Sequence, residues 1–102
     1  MSKEFRAITF SHEESMEAIA TLVRAVNADL ADARASDIYY KTTGPDITAT
    51  LHIGGRAMLV EAHEITAALI RYARKRRIPL PRDARKLIEE NNKELTLKLW
   101  LD

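Results

Sequence analysis

The sequence contains no cysteine, which excludes several kinds of site at once. Without a thiol there is no disulfide framework, no cysteine nucleophile, no cysteine-ligated zinc and no iron–sulfur cluster. The burial of apolar side chains must therefore supply the stability of the fold. The absence of cysteine also suits a reducing compartment.

Glycine is scarce, with three residues in a chain of 102. The pair Gly54-Gly55 has neither the spacing of a phosphate-binding loop nor that of a dinucleotide-binding turn, so we predict no nucleotide cofactor. Its position between two alternating segments is typical of a β-hairpin turn instead. No serine lies in the Gly-x-Ser-x-Gly context of a hydrolase nucleophile, and we predict no catalytic residue of that class.

Long apolar runs are also missing from the sequence. Stretches such as 18–23 and 65–70 fall well short of the ~18 residues that indicate a transmembrane helix. Glutamates occupy the positions where a signal peptide would have its apolar segment, so we expect no secretory signal and a cytoplasmic location. We therefore expect no membrane association. With 46% apolar and 30% charged residues, the chain has the balance of one ordinary globular domain spanning residues 1–102.

Hydrophobic periodicity divides the chain into strands with period two and helices with a period near 3.6. Ser11 and Glu14 have the spacing of a capping box, which predicts the start of the first helix. We expect an α+β fold in the order β-α-β-β-β-α-α-β, with helices packed on one face of a mostly antiparallel sheet. The predicted strands are 3–10, 37–42, 47–53, 56–60 and 95–101, and the predicted helices are 11–33, 62–77 and 82–90.

A two-residue turn at Gly54-Gly55 would also set the register of the hairpin that it connects. Ile53 then lies opposite Arg56, and Leu51 lies opposite Met58. This pairing places Leu51 and Met58 on one face of the hairpin. A shift of one residue would move every side chain of one strand to the other face, so the apolar pattern favours this register.

Cations are concentrated in one segment of the chain. Residues 71–86 contain eight of the 16 lysine and arginine residues and a single acidic residue, Asp83. On two successive helices these cations would form adjacent exposed faces that attract phosphates or carboxylates. The alternative is a solvated surface in which Arg85–Glu89 and Lys86–Glu90 pair at i, i+4 spacing. The candidate binding residues are Arg71, Arg74, Lys75, Arg76, Arg77, Arg82, Arg85 and Lys86.

The final strand contains the one tryptophan of the sequence. A strand so close to the end of the sequence could lie at a sheet edge and pair with a second copy of the chain. Trp100 and Leu99 are then candidate interface residues, because a tryptophan offers a large contact area. Alternatively, Trp100 covers a neighbouring helix or loop.

Histidine chemistry has weak support in this sequence. His12, His52 and His63 do not have the i, i+4 spacing of a helical metal site, and we predict no metal. Glu61 and His63 are close enough in sequence to form an acid–base pair if one element contains both.

These patterns lead to three functional hypotheses. The leading one is a small, self-associating, non-enzymatic module that binds an anionic partner, either nucleic acid or an acidic protein, through residues 71–86. The second is a structural subunit that homo-oligomerises through its C-terminal strand. The third is a metal-free acid–base enzyme that uses Glu61 and His63.

Overall fold

Strands and helices follow one another in the order β-α-β-β-β-α-β-β in the part of the chain that the structure describes. The computed structural model describes residues 4–81 and 83–101. A short 3₁₀ turn, Ala28–Leu30, follows the first helix. The elements are β1 (Glu4–Phe10), α1 (His12–Val26), β2 (Ala35–Thr43), β3 (Asp46–Ile53), β4 (Arg56–Val60), α2 (Ala62–Lys75), β5 (Arg85–Asn91) and β6 (Glu94–Leu101).

The strands form two antiparallel sheets of three strands each. One sheet has the order β2-β3-β4, and its neighbouring strands are also consecutive in sequence. The other has the order β1-β6-β5 and joins the first strand to the last two. The predicted α+β class and the antiparallel pairing are confirmed, with the strands divided between two sheets.

The short helix predicted for 82–90 is wrong over its described part, because Arg85–Asn91 forms β5. Leu87 and Ile88 are its apolar residues and are adjacent in sequence, so one points to each side of the strand. No alternation of apolar and polar residues therefore marks this strand. Asn92 and Lys93 both have positive φ, at 51° and 68°, and form the tight turn that leads into β6.

The capping box at the start of α1 is confirmed. The Glu14 N–H donates to the Ser11 hydroxyl at 3.1 Å, and the Ser11 N–H donates to the Glu14 carboxylate at 2.9 Å. The helix ends at Val26, well before residue 33, where we predicted its end. The Asn27 side-chain amide donates to the Val23 carbonyl at 2.9 Å and so occupies an acceptor at the end of the helix.

The hairpin between β3 and β4 has the predicted register. Ile53 lies opposite Arg56, and Leu51 lies opposite Met58. The turn also packs closely against the chain that follows the 3₁₀ turn. A Cβ atom added to Gly54 would lie 2.9 Å from the Cβ of Ala33, so this position requires glycine for space as well as for its φ of +57°.

The core lies between the helices and the inner faces of the two sheets. α1 and α2 contact each other and β3, and α1 also contacts β6. Ile19, Leu51, Leu69 and Leu97, one from each of these elements, are fully buried. In the described chain, neither helix is both long and apolar enough to cross a membrane.

Candidate anion-binding surface

α2 has one buried face and one cationic face. Ile65 and Leu69 are buried in the core, one turn apart. Arg71, Arg74 and Lys75 lie on the other side of the helix and are exposed. This arrangement follows from the helical period, which places residues three or four apart on one face.

Arg71 and Arg74 border two grooves, one on each side of α2. The groove between α1 and α2 has a volume of about 320 Å³, and Lys75 also borders it. The groove between α2 and the start of β5 has a volume of about 290 Å³, and Lys86 borders that one. We call these four cations the basic ridge. Lys86 is distant from the others in sequence, and the fold brings it to the same surface.

Within the described part of the chain, the charges of the basic ridge are not paired with carboxylates. Within residues 4–81 and 83–101, Arg71, Arg74 and Lys75 make no ion pair with an acidic side chain. The Lys86 ammonium donates a hydrogen bond of 3.0 Å to the Ala84 carbonyl, which carries no net charge. The ridge therefore keeps its positive potential toward solvent.

Arg76 and Arg77 differ from the ridge cations. The Arg76 guanidinium lies 4.7 Å from the centroid of the Tyr72 ring and pairs with Glu14. This cation is therefore held against the protein. Arg77 has a positive φ of 59° and donates its backbone N–H to the Arg74 carbonyl, so it ends the helix beside the ridge with an exposed side chain.

The predicted common face of Arg82, Arg85 and Lys86 does not form. Arg82 lies outside the described residues. Arg85 and Lys86 are neighbours in a strand and therefore point to opposite sides. Lys86 lies opposite Leu99 on the side of α2, whereas Arg85 lies opposite Trp100 on the outer face of the sheet. The predicted pairing of Arg85 with Glu89 and of Lys86 with Glu90 assumed a helix. In a strand, residues four apart in sequence are ~13 Å apart, so this pairing is not expected.

The C-terminal strand β6 is central in its sheet, so the predicted edge-to-edge pairing of β6 with a second copy is wrong. Its two edges hydrogen-bond to β1 and β5. Leu99 is 1% exposed and belongs to the core, so it is not available on the surface of a single chain. Trp100 packs on Phe5 with ring centroids 5.5 Å apart. Homo-oligomerisation stays a prediction, which light scattering at two protein concentrations tests.

Glu61 and His63 come together at the start of α2. Glu61 Oε2 and His63 Nδ1 are 3.8 Å apart, and the side chains are 61% and 79% exposed. They border a shallow depression that is open to solvent, so nothing there would shield a reaction from water. Glu64 joins them closely enough for the three to hold a metal ion, which the sequence did not predict. Its carboxylate also accepts the Glu61 N–H at 3.0 Å, which is a helix-capping contact.

A second polar group lies where α1 meets β2. His12 Nε2 lies 3.6 Å from Asp37 Oδ1. Hydrogen bonds from the Tyr39 hydroxyl and the Ile38 N–H lower the pKa of Asp37. Burial raises the pKa of Tyr40 to about 12.

The sequence did not predict the apolar lining of the groove between the helices. Ala18 and Leu22 from α1 meet Ala68 and Tyr72 from α2 there. These residues are apolar at helical spacing, which is equally typical of a buried stripe. The feature of the sequence that could have indicated a groove is the small size of Ala18 and Ala68, because short side chains leave room where the helices face each other.

Comparison with known proteins adds no family: no protein-family model, curated protein or solved structure matches this chain. The fold and the surface together define a class, a small α+β domain with a cationic helix between two grooves. The chemistry of that surface is therefore the feature of the molecule that bears on its function.

Proposed function

We propose that the chain is a non-enzymatic cytoplasmic binding module that holds an anionic protein segment on the basic ridge. The observation that carries the proposal is that Arg71 and Arg74 border both grooves. Lys75 and Lys86 extend the same positive surface to either side. A cluster of exposed like charges attracts anions over distances near the Debye length and speeds their association.

The lining of the first groove favours an acidic protein over nucleic acid. The groove is apolar on both sides, with Ala18 and Leu22 from α1 and Ala68 from α2. A phosphate backbone gains little from apolar surface, whereas protein partners bury apolar side chains at the centre of an interface. Tyr72 is the aromatic residue of this groove, and the Arg76 guanidinium already covers one face of its ring. That face cannot stack on a nucleic-acid base.

Fluorescence anisotropy with two labelled polyanions tests the proposal. The probes are a poly-L-glutamate peptide and a DNA duplex with the same number of charges. Arg74→Glu should weaken binding of the glutamate peptide by about tenfold, because it replaces attraction with like-charge repulsion. Lys41→Glu is the matched control, since Lys41 is an exposed cation on β2. It should change the affinity by less than about twofold.

Two outcomes would overturn the proposal. Equal losses in Arg74→Glu and Lys41→Glu would mean that net charge alone attracts the probe. Tighter binding of the duplex than of the glutamate peptide would assign the ridge to nucleic acid. In that case log affinity should fall with log salt at a slope of about −3.6 for four phosphate contacts.

A further inference from the structure

We infer that the groove between α1 and α2 receives an apolar side chain of the partner, flanked in the partner by carboxylates that lie against Arg71, Arg74 and Lys75. This inference rests on the proposed function. It adds the chemical pattern of the partner, which is an acidic segment with a large apolar residue at its centre.

The groove exists because two short side chains face each other where the helices pack. Ala18 and Ala68 form the floor and are 2% and 1% exposed. Leu22 and Tyr72 are longer and partly exposed, and they form the walls. A volume of about 320 Å³ lies at the lower end of the range for ligand sites in proteins. The groove therefore has room for a large apolar side chain.

The charged residues that border the groove all belong to α2. Arg71, Arg74 and Lys75 border it from α2, and Thr21 borders it from α1. Glu17, one turn before Thr21, already pairs with Arg24 at 3.3 Å. The groove thus combines an apolar floor with bordering cations that have no acidic partner among the described residues. An acidic segment with an apolar residue is complementary to both features.

The length of the cationic surface favours a chain segment over a small amphiphile. Arg71 and Arg74 also border the second groove, where Ile70, Leu80 and Lys86 lie. A small molecule bound in the first groove would make no contact with Lys86, which borders the second groove and not the first. A peptide that crosses α2 could place carboxylates against cations on both sides of the helix.

Two labelled peptides with equal numbers of glutamates separate the apolar contribution from the charge. One has leucines at every third or fourth position, and the other has serines there. The leucine peptide should bind the wild-type chain at least about tenfold more tightly, since it alone can bury a large apolar side chain. Both peptides should lose affinity in Arg74→Glu.

Thr21→Trp places a large ring at the wall of the groove and should abolish the preference for leucine. Thr66→Trp is the matched control. Like Thr21, Thr66 donates its hydroxyl to the carbonyl four residues earlier, but it lies outside this groove, in a depression that Lys86 also borders. Thr66→Trp therefore affects the two peptides alike, whatever it does to their shared contact with Lys86. The control should keep the full preference. Circular dichroism melting curves establish that both variants are folded.

Equal affinity of the two peptides for the wild type, with both weakened by Arg74→Glu, would overturn the groove inference and leave the proposed function standing. If Arg74→Glu lowers the affinity for neither peptide, the proposed function itself is overturned. A third outcome is that the wild type binds dodecanoate, that Thr21→Trp abolishes this binding, and that the two peptides bind equally well. This outcome would assign the groove to a small amphiphile.

Discussion

Nη1 of Arg76 lies 3.3 Å from Oε2 of Glu14 and joins the end of α2 to the first turn of α1. The other oxygen of the same carboxylate accepts the Ser11 N–H of the capping box. Glu14 thus serves the cap and the contact between the helices that border the first groove. The Ser11 backbone hydrogen bond, with smaller contributions from the Ser11 hydroxyl and the Arg76 charge, lowers the pKa of Glu14.

Glu14→Gln should reduce the loss of stability in acid. A carboxyl whose pKa is lower in the folded state contributes stability that is fully present above its unfolded pKa of 4.5 and is lost as pH falls through the folded pKa. The free energy of unfolding, from urea titrations at neutral pH and below pH 4.5, should therefore fall less in the variant than in the wild type. Glu13→Gln, an exposed neighbour in the same turn, is the control. Equal acid sensitivity of wild type and Glu14→Gln would contradict the assignment.

Gly54→Ala should destabilise the chain more than Gly55→Ala. Both residues have positive φ, which costs a residue with a Cβ about 1–2 kcal/mol. A Cβ at Gly54 would also meet Ala33 at 2.9 Å and Leu30 at 3.2 Å, whereas at Gly55 it would meet nothing within 4 Å. Overpacking of this kind adds about 1–3 kcal/mol. Equal midpoints for the two variants in urea would show that the turn does not pack on Ala33.

Lys93→Gly should stabilise the chain by about 1 kcal/mol, because it removes the strain of a positive φ of 68° and creates the Asn-Gly pair that two-residue hairpin turns prefer. The backbone N–H that Lys93 donates to the Glu90 carboxylate at 2.8 Å is kept. Lys41→Gly, in an extended strand, is the control and should destabilise. Thermal melting compares the two. A lower Tm for Lys93→Gly would mean that β5 and β6 are not joined by this turn.

The parts of the fold that depend on residues close together in sequence were predictable. The β3–β4 hairpin followed from Gly54-Gly55 and the alternation around it, and the start of α1 followed from Ser11 and Glu14. The end of α1 was not predictable, because Leu30 and Ala33 continue the apolar stripe of the helix. Only the turn geometry at Asn27 ends it.

The candidate surface was predictable in its charge and not in its arrangement. Counting residues identified the cations, but placing Lys86 beside Arg71 required knowing that β5 is a strand. The adjacent Leu87 and Ile88 gave no period from which to recognise it. The groove depends on Ala18 and Ala68, which are distant in sequence and meet through helix packing alone.

The pairing of β1 with β6 has a consequence for how the chain folds as it is synthesised. Thr9 and Thr96, which hydrogen-bond across that pair, are 87 residues apart. At translation rates of about 5–20 residues per second, β1 waits roughly 4 to 17 s for its neighbour. The sheet β2-β3-β4 needs only consecutive strands and can form during that interval. During synthesis the first strand therefore stays unpaired while the second sheet can already form.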